Sequence, residues 1–170
     1  IFTSGATEGI NLAIKGVGEK YERQGHIITQ VTEHNAVLDT CKTMESKGWG
    51  ITRLSVDSFG IVNPKHIENA INERTVLVSI MHANNEIGSI QHIREIGEIC
   101  KKYKILFFVD ACQSFGKLEI NVKKMNINLL VGTAHKLYGP KGIGLLYISQ
   151  KNPKVALKMQ IDGGGHERGY

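Results

Sequence analysis

Thr75-Val76-Leu77-Val78-Ser79-Ile80-Met81, a helical pattern from about Ile93 to Tyr103, and then Ile105-Leu106-Phe107-Phe108-Val109 form the stretch whose reading decides the fold. Both short runs are apolar almost throughout and lack the polar alternation of a sheet face turned to water. Strands of this kind are covered on both sides, and a helix between two of them makes the crossover that a parallel pair needs. The same alternation extends in both directions. Upstream, a helix runs from Thr7 to about Glu22, the β-branched run His26 to Val31 follows, and Asn35 to Lys47 is helical with Ala36, Val37, Cys41 and Met44 on one face. Gly50 to Val56 alternates like a half-buried strand, and Pro64 opens a short helix reaching about Asn72. Downstream lie two more apolar segments, Asn128 to Val131 and Ile143 to Ile148. No repeat, low-complexity tract or linker interrupts the series. The expectation is one α/β unit, a mainly parallel sheet with helices on both faces.

The 21 basic and 16 acidic residues give a net charge of +5 and are spread evenly, with Lys101, Lys102 and Lys104 the densest cluster. Without a basic stripe interleaved with aromatics, nucleic acid is not an expected partner. No apolar run approaches the length of a membrane span, so no membrane partner is expected either. Cys41, Cys100 and Cys112 lie far apart in the chain with no metal-ligand spacing. No metal site is expected, and the odd count points to a reducing compartment: the cytoplasm, or the mitochondrial matrix in a eukaryote. The chain opens at Ile1 on a glycine turn and closes on the loop-like Gly163 to Tyr170, as a piece of a longer protein would.

In a parallel sheet, ligands bind beyond the carboxyl ends of the strands, and four polar clusters fall there. They are Thr32-Glu33-His34, His82 to Gly88, Asp110-Ala111-Cys112-Gln113-Ser114, and Thr133-Ala134-His135-Lys136. Lys136 sits in a loop between two apolar segments, where desolvation would free its amine to act as nucleophile or base. Alternatively, the loop is an ordinary surface turn. Asp110 ends a run of apolar residues and needs a cation or strong donor, either a protonated pyridine nitrogen or a structural arginine. His34 is placed to stack on a ring, shuttle a proton, or cap the helix at Asn35. At the start, Thr3-Ser4-Gly5-Ala6-Thr7-Glu8-Gly9 reads as a tight turn at Gly5 feeding an anion-binding helix N-terminus, or as plain capping by Ser4 or Thr7. Taken together, these features describe a receptor for pyridoxal phosphate: aldehyde to lysine, pyridinium to aspartate, phosphate to a helix N-terminus.

The sequence also closely resembles the cysteine desulfurases of the class V aminotransferase group, fold type I, of the iron–sulfur-cluster assembly kind. The resemblance lies in Phe2 to Glu8, Thr32 to Asp39, His82 to Gly88, Val109 to Ser114, His135 to Gly144 and Gly163 to Gly169, in the family's order. It implies that residues 1–170 are part of the large cofactor-binding domain, with an N-terminal segment and a small C-terminal domain outside them. It implies that Lys136 holds the cofactor aldehyde and moves the substrate's Cα proton, and that His34 stacks over the ring and assists. Asp110 would pair with the ring nitrogen, Gln113 and Asn85 would address the phenolic oxygen and orient substrate, and Thr7, Thr133, His135 and the Ala6 backbone would bind the phosphate. Thr133 replaces a frequent serine with the hydroxyl kept.

The reaction implied converts L-cysteine to L-alanine and leaves the sulfur on an enzyme cysteine as a persulfide. The implied partners are a second copy of the chain and an iron–sulfur scaffold or other sulfur acceptor. None of the three cysteines matches the nucleophile's position, and Cys112 reads as a packing residue. The nucleophile and the substrate-binding arginine are expected outside these residues, which are therefore not expected to turn over cysteine unaided. The other readings are a selenocysteine lyase or related class V enzyme, and a non-catalytic fragment. Intact Lys136, Asp110 and His34 speak against the last.

Overall fold

The computed structural model describes residues 1–20, 24–151 and 153–164. Their elements are β1 (Phe2–Thr3), α1 (Ala6–Lys20), β2 (His26–Gln30), α2 (Asn35–Ser46), β3 (Gly50–Leu54), α3 (Pro64–Ala70), β4 (Thr75–Met81), α4 (Ile93–Lys102), β5 (Leu106–Asp110), β6 (Leu129–Thr133), a 3₁₀ turn (Ala134–Lys136) and β7 (Gly144–Ile148). The strands form one sheet in the order β1-β7-β6-β5-β4-β2-β3. Strands β3, β2, β4, β5 and β6 run parallel, as expected. At the other edge, β7 is antiparallel to β6, and β1 is antiparallel to β7.

The local sequence explains the helices. Asn63 caps α3 by accepting the Lys65 N–H at 2.9 Å, with Pro64 in the first turn where its missing N–H costs nothing. In α4, Ile93, Ile96, Gly97 and Cys100 are the buried stripe, spaced as one helix face requires. The segment between β5 and β6 has no helix, although a parallel pair usually has one there. Turns replace it, and Ile120, Val122 and Met125 cover the sheet instead.

Successive strand residues point to opposite faces, so the sheet separates two cores. Phe108 packs with Ile10, Ile14 and Val17 of α1 and Val37, Cys41 and Met44 of α2. Phe107, its neighbour, packs on the other face with Ile67 of α3 and Ile96 and Cys100 of α4. The edge strand β3 is half-buried along its length.

The antiparallel edge brings the chain's start to the carboxyl ends of the parallel strands. Gly144 pairs with Thr3 on one side and Thr133 on the other, so α1 begins beside the end of β6. Its approach is close: a Cβ on Gly9 would lie 2.8 Å from Val131 Cγ2.

Candidate active site

Asp110, the last residue of β5, occupies the middle of this sheet edge, in register with Met81 of β4 and Val131 of β6. Above it opens a cavity of about 430 Å³. Its wall contains all nine residues singled out from the sequence: Ala6, Thr7, His34, Asn85, Asp110, Gln113, Thr133, His135 and Lys136. It also contains Ser4 and Gly5 of the opening turn, and residues assigned no role from the sequence, notably Ile10, Met81 and Lys141. Met81 was in principle readable, since it ends β4 as Asp110 ends β5. Ile10 and Lys141 enter through packing that one-dimensional patterning does not specify.

The Asp110 side chain is 4% exposed, and its Oδ1 accepts the Cys112 N–H at 2.9 Å. Among the described residues no arginine, lysine or histidine forms an ion pair with it, so the structural-arginine reading finds no support. The buried carboxylate thus faces the cavity without a protein cation. The Cys112 thiol is pushed far above the ordinary thiol range by burial first, then by the Asp110 charge and a hydrogen bond to that carboxylate. It packs against the α1-face core, in keeping with a packing role.

Lys136 corrects one expectation. It is half-buried in the cavity wall on the 3₁₀ turn, not sealed between apolar strands, because the chain leaves β6 toward the open edge. Its ammonium is free of ion pairs among the described residues. Beside it, Thr133 Oγ1 lies 2.9 Å from His135 Nδ1, and the Thr133 hydroxyl donates to Ile143 O at 3.4 Å.

His34 combines two of its three readings. It caps α2, with Nδ1 accepting the Ala36 N–H at 3.1 Å, and it lines the cavity. Because Nδ1 is the acceptor, the neutral ring carries its proton on Nε2.

At the start of α1, neither Thr7 nor a left-handed Gly5 makes the turn. Glu8 reaches back instead, its Oε2 accepting from Ser4 N at 2.8 Å and Ser4 Oγ at 2.6 Å. This arrangement is half of a capping box, and it leaves the first-turn N–H groups of Ala6 and Thr7 without helical acceptors. A Cβ on Gly5 would meet no atom within 4 Å, so the glycine keeps that part of the wall open.

An anion cradle, an uncommitted lysine and a buried carboxylate lacking a cation make a donor set that fits pyridoxal phosphate. Of the Gly163–Gly169 motif, residues 165–169 lie outside the described residues. Among the described residues no helix is long and apolar enough to cross a membrane.

A model of the class-V aminotransferases matches residues 1–168. A cysteine desulfurase IscS of Tolumonas auensis is 58% identical over 170 residues, which are 99% of this chain and 42% of that protein. One from Vibrio vulnificus is 54% identical over 171 residues, 100% of the chain and again 42% of the relative. The chain therefore spans about two fifths of the length of these curated relatives. A solved structure described as SspA in complex with cysteine superposes with a TM-score of 0.94 at 45% identity, covering 99% of this chain and 49% of that one. A NifS-like protein gives 0.93 at 43% identity, covering 99% and 46%.

Proposed function

The chain belongs to the class-V aminotransferase family, and on that premise we propose that it is the cofactor-binding part of a pyridoxal-phosphate-dependent cysteine desulfurase serving iron–sulfur cluster assembly. Lys136 and Asp110 lining one cavity, with no carboxylate paired to the first and no cation to the second among the described residues, is the observation that carries this reading. The names of the curated relatives, and the cysteine in one solved neighbour, support L-cysteine as substrate.

Pyridoxal phosphate, when bound, supplies an aldehyde that captures amines and a ring that takes up the electron pair left at Cα. Lys136 would hold the aldehyde and, once the substrate amine has displaced it, move the proton at the substrate's Cα. Asp110 would keep the ring nitrogen protonated, which offsets the cost of burying its own charge. The first-turn N–H groups at Ala6 and Thr7, with the Thr7 and Thr133 hydroxyls and His135, would hold the phosphate. His34 would cover the ring with its Nε2–H available to the reacting groups, while Asn85 and Gln113 would orient ring oxygen and substrate.

The sulfur-accepting thiol is proposed to lie outside these 170 residues. Cys41 and Cys100 are buried with thiols pushed up to about 12, chiefly by desolvation, and Cys112 is held protonated. Thiolate, not thiol, is the nucleophile. A homodimer and an iron–sulfur scaffold or other sulfur acceptor complete the proposal, supported by the family likeness. The three free cysteines are in keeping with a reducing cytoplasm.

Borohydride reduction with pyridoxal phosphate, followed by peptide mass mapping, tests the anchor. The expected result is a pyridoxyl adduct on Lys136, absent in Lys136→Ala, and an adduct that persists in that variant would refute the assignment.

A further inference from the structure

Glu33 is a buried carboxyl with one unpartnered oxygen, and it has no part in the chemistry assigned to the cavity. It follows β2 and precedes His34, yet it is 6% exposed. Its Oε1 accepts the Met81 N–H at 2.6 Å. Its Oε2 is fully buried with no hydrogen-bond partner. Met81 is the register partner of Asp110, so the Glu33 carboxyl is fastened to the strand beside the Asp110 carboxylate.

A second hydrogen bond ties the same loop to the same strand end, since Asn84 Nδ2 donates to Thr32 O at 2.9 Å and to Met81 Sδ at 3.4 Å. The loop held in this way carries His34 into the cavity wall. The ionisable groups that act on Glu33, or that it acts on, are Asp110 from β5 and the Cys41 thiol from α2. No cation forms an ion pair with Glu33 among the described residues. Burial, and after it the Asp110 charge, raise the Glu33 carboxyl well above the usual carboxylate range, against a smaller opposing effect of the Met81 N–H. Carboxyls that share a buried site disfavour a second charge, and the sealed Glu33 is the one whose affinity for a proton is raised.

We propose that Glu33 is a positioning residue: its carboxyl clamps the His34 loop to the end of β4 through the Met81 N–H, beside the Asp110 that would pair with the ring nitrogen. The proposal rests on the cofactor reading given above. It predicts that the carbonyl oxygen of Glu33 matters and its charge does not.

Glu33→Gln and Glu33→Ala separate the two. Glu33→Gln is expected to bind pyridoxal phosphate with wild-type affinity and an unchanged pH midpoint of the bound cofactor's absorbance. Glu33→Ala is expected to bind it roughly tenfold more weakly, the scale of stranding one buried N–H, and to shift that midpoint. A purely structural role would lower thermal stability in Glu33→Ala without moving the midpoint, and that result overturns the proposal. So does a Glu33→Gln variant whose midpoint or affinity departs from wild type, which also decides the matter should Glu33→Ala fail to fold. Hydrogen exchange at the Met81 amide gives a readout that needs no cofactor: slow in wild type and Glu33→Gln, fast in Glu33→Ala. Failure of the wild type to bind pyridoxal phosphate sinks the functional reading, and a slow Met81 amide in Glu33→Ala sinks the clamp.

Discussion

Asp110 and Glu33 flank Met81, the last residue of β4, and their surroundings differ. Asp110 accepts a backbone N–H and opens onto a cavity, whereas Glu33 is closed in with one oxygen unpaired. The burial of Glu33 has a consequence for stability. A carboxyl raised by folding favours the folded state fully below its unfolded value, 4.5 for Glu33, and loses that contribution as pH rises through its folded value. Glu33→Gln lacks the loss. Its stability relative to wild type is expected to grow with pH above 4.5 and to vanish below it, as measured by urea unfolding across the range. A flat difference would mean that Glu33 is charged in the fold. At Asp110 the prediction concerns rate. Asp110→Asn is expected to retain cofactor but slow Cα deprotonation about 100-fold or more, the scale of removing a preorganised charge. Single-turnover absorbance measures this, and near-normal rates would end its proposed part in the chemistry.

Among the elements, β2, β3 and β4 are joined by one histidine at the start of β2. His26 Nδ1 accepts from Thr75 Oγ1 at 2.8 Å and Asn72 Nδ2 at 3.1 Å, which leaves Nε2–H to donate to Thr52 Oγ1 at 2.8 Å. A second ring proton would face two donors, and burial, with Arg74 nearby, holds His26 below its ordinary value of 6.5. Such a group stabilises the fold above its unfolded pKa and ceases to as pH falls through the folded one. Stability is therefore expected to decline as pH drops below 6.5, with buried His82 adding to the decline. His26→Gln should be less stable at neutral pH and show a shallower acid slope. Helix α1 offers another test at Gly9. Alanine would gain roughly 0.5–1 kcal/mol of helix propensity but overpack against Val131, at a cost of about 1–3 kcal/mol. The packing loss is larger, so Gly9→Ala should unfold at lower urea and bind pyridoxal phosphate more weakly, because the start of α1 is pushed off the sheet.

These elements differ in how far the sequence revealed them. The apolar runs of β4 and β5 and the stripe of α4 were legible because burial on both sides leaves a composition signature. The two-residue β1 was not, since its strand character comes from pairing with β7 across the length of the chain. The same distinction holds in the site. Asp110 could be read because a carboxylate after five apolar residues requires a partner, and Lys136 because of its flanking segments. The half-exposed setting of Lys136 and the sealed one of Glu33 depend on how loops close over the sheet edge, which no local pattern encodes.

For the molecule as a whole, a sheet with two cores need not transmit damage equally from both. Phe107 and Phe108 are adjacent, fully buried and similar in chemistry, yet they belong to opposite faces. The Phe108 core contains Ile10, which lines the cavity, and Val131, the register partner of Asp110. The Phe107 core touches α3, α4 and the turn-rich segment after β5, away from the start of α1. Phe107→Leu and Phe108→Leu should each cost about 1–2 kcal/mol, well short of the roughly 3–5 kcal/mol of truncation to alanine, so both variants should fold. Their effects on binding should diverge. Phe108→Leu loosens the support of Ile10 and Val131 and is expected to weaken pyridoxal phosphate binding severalfold, while Phe107→Leu leaves the dissociation constant near wild type. Matched urea unfolding and cofactor titrations on the pair make the comparison internal. Equal losses of affinity at equal losses of stability would mean that the cavity responds to global stability alone, and that the α1-face core has no special hold on the site.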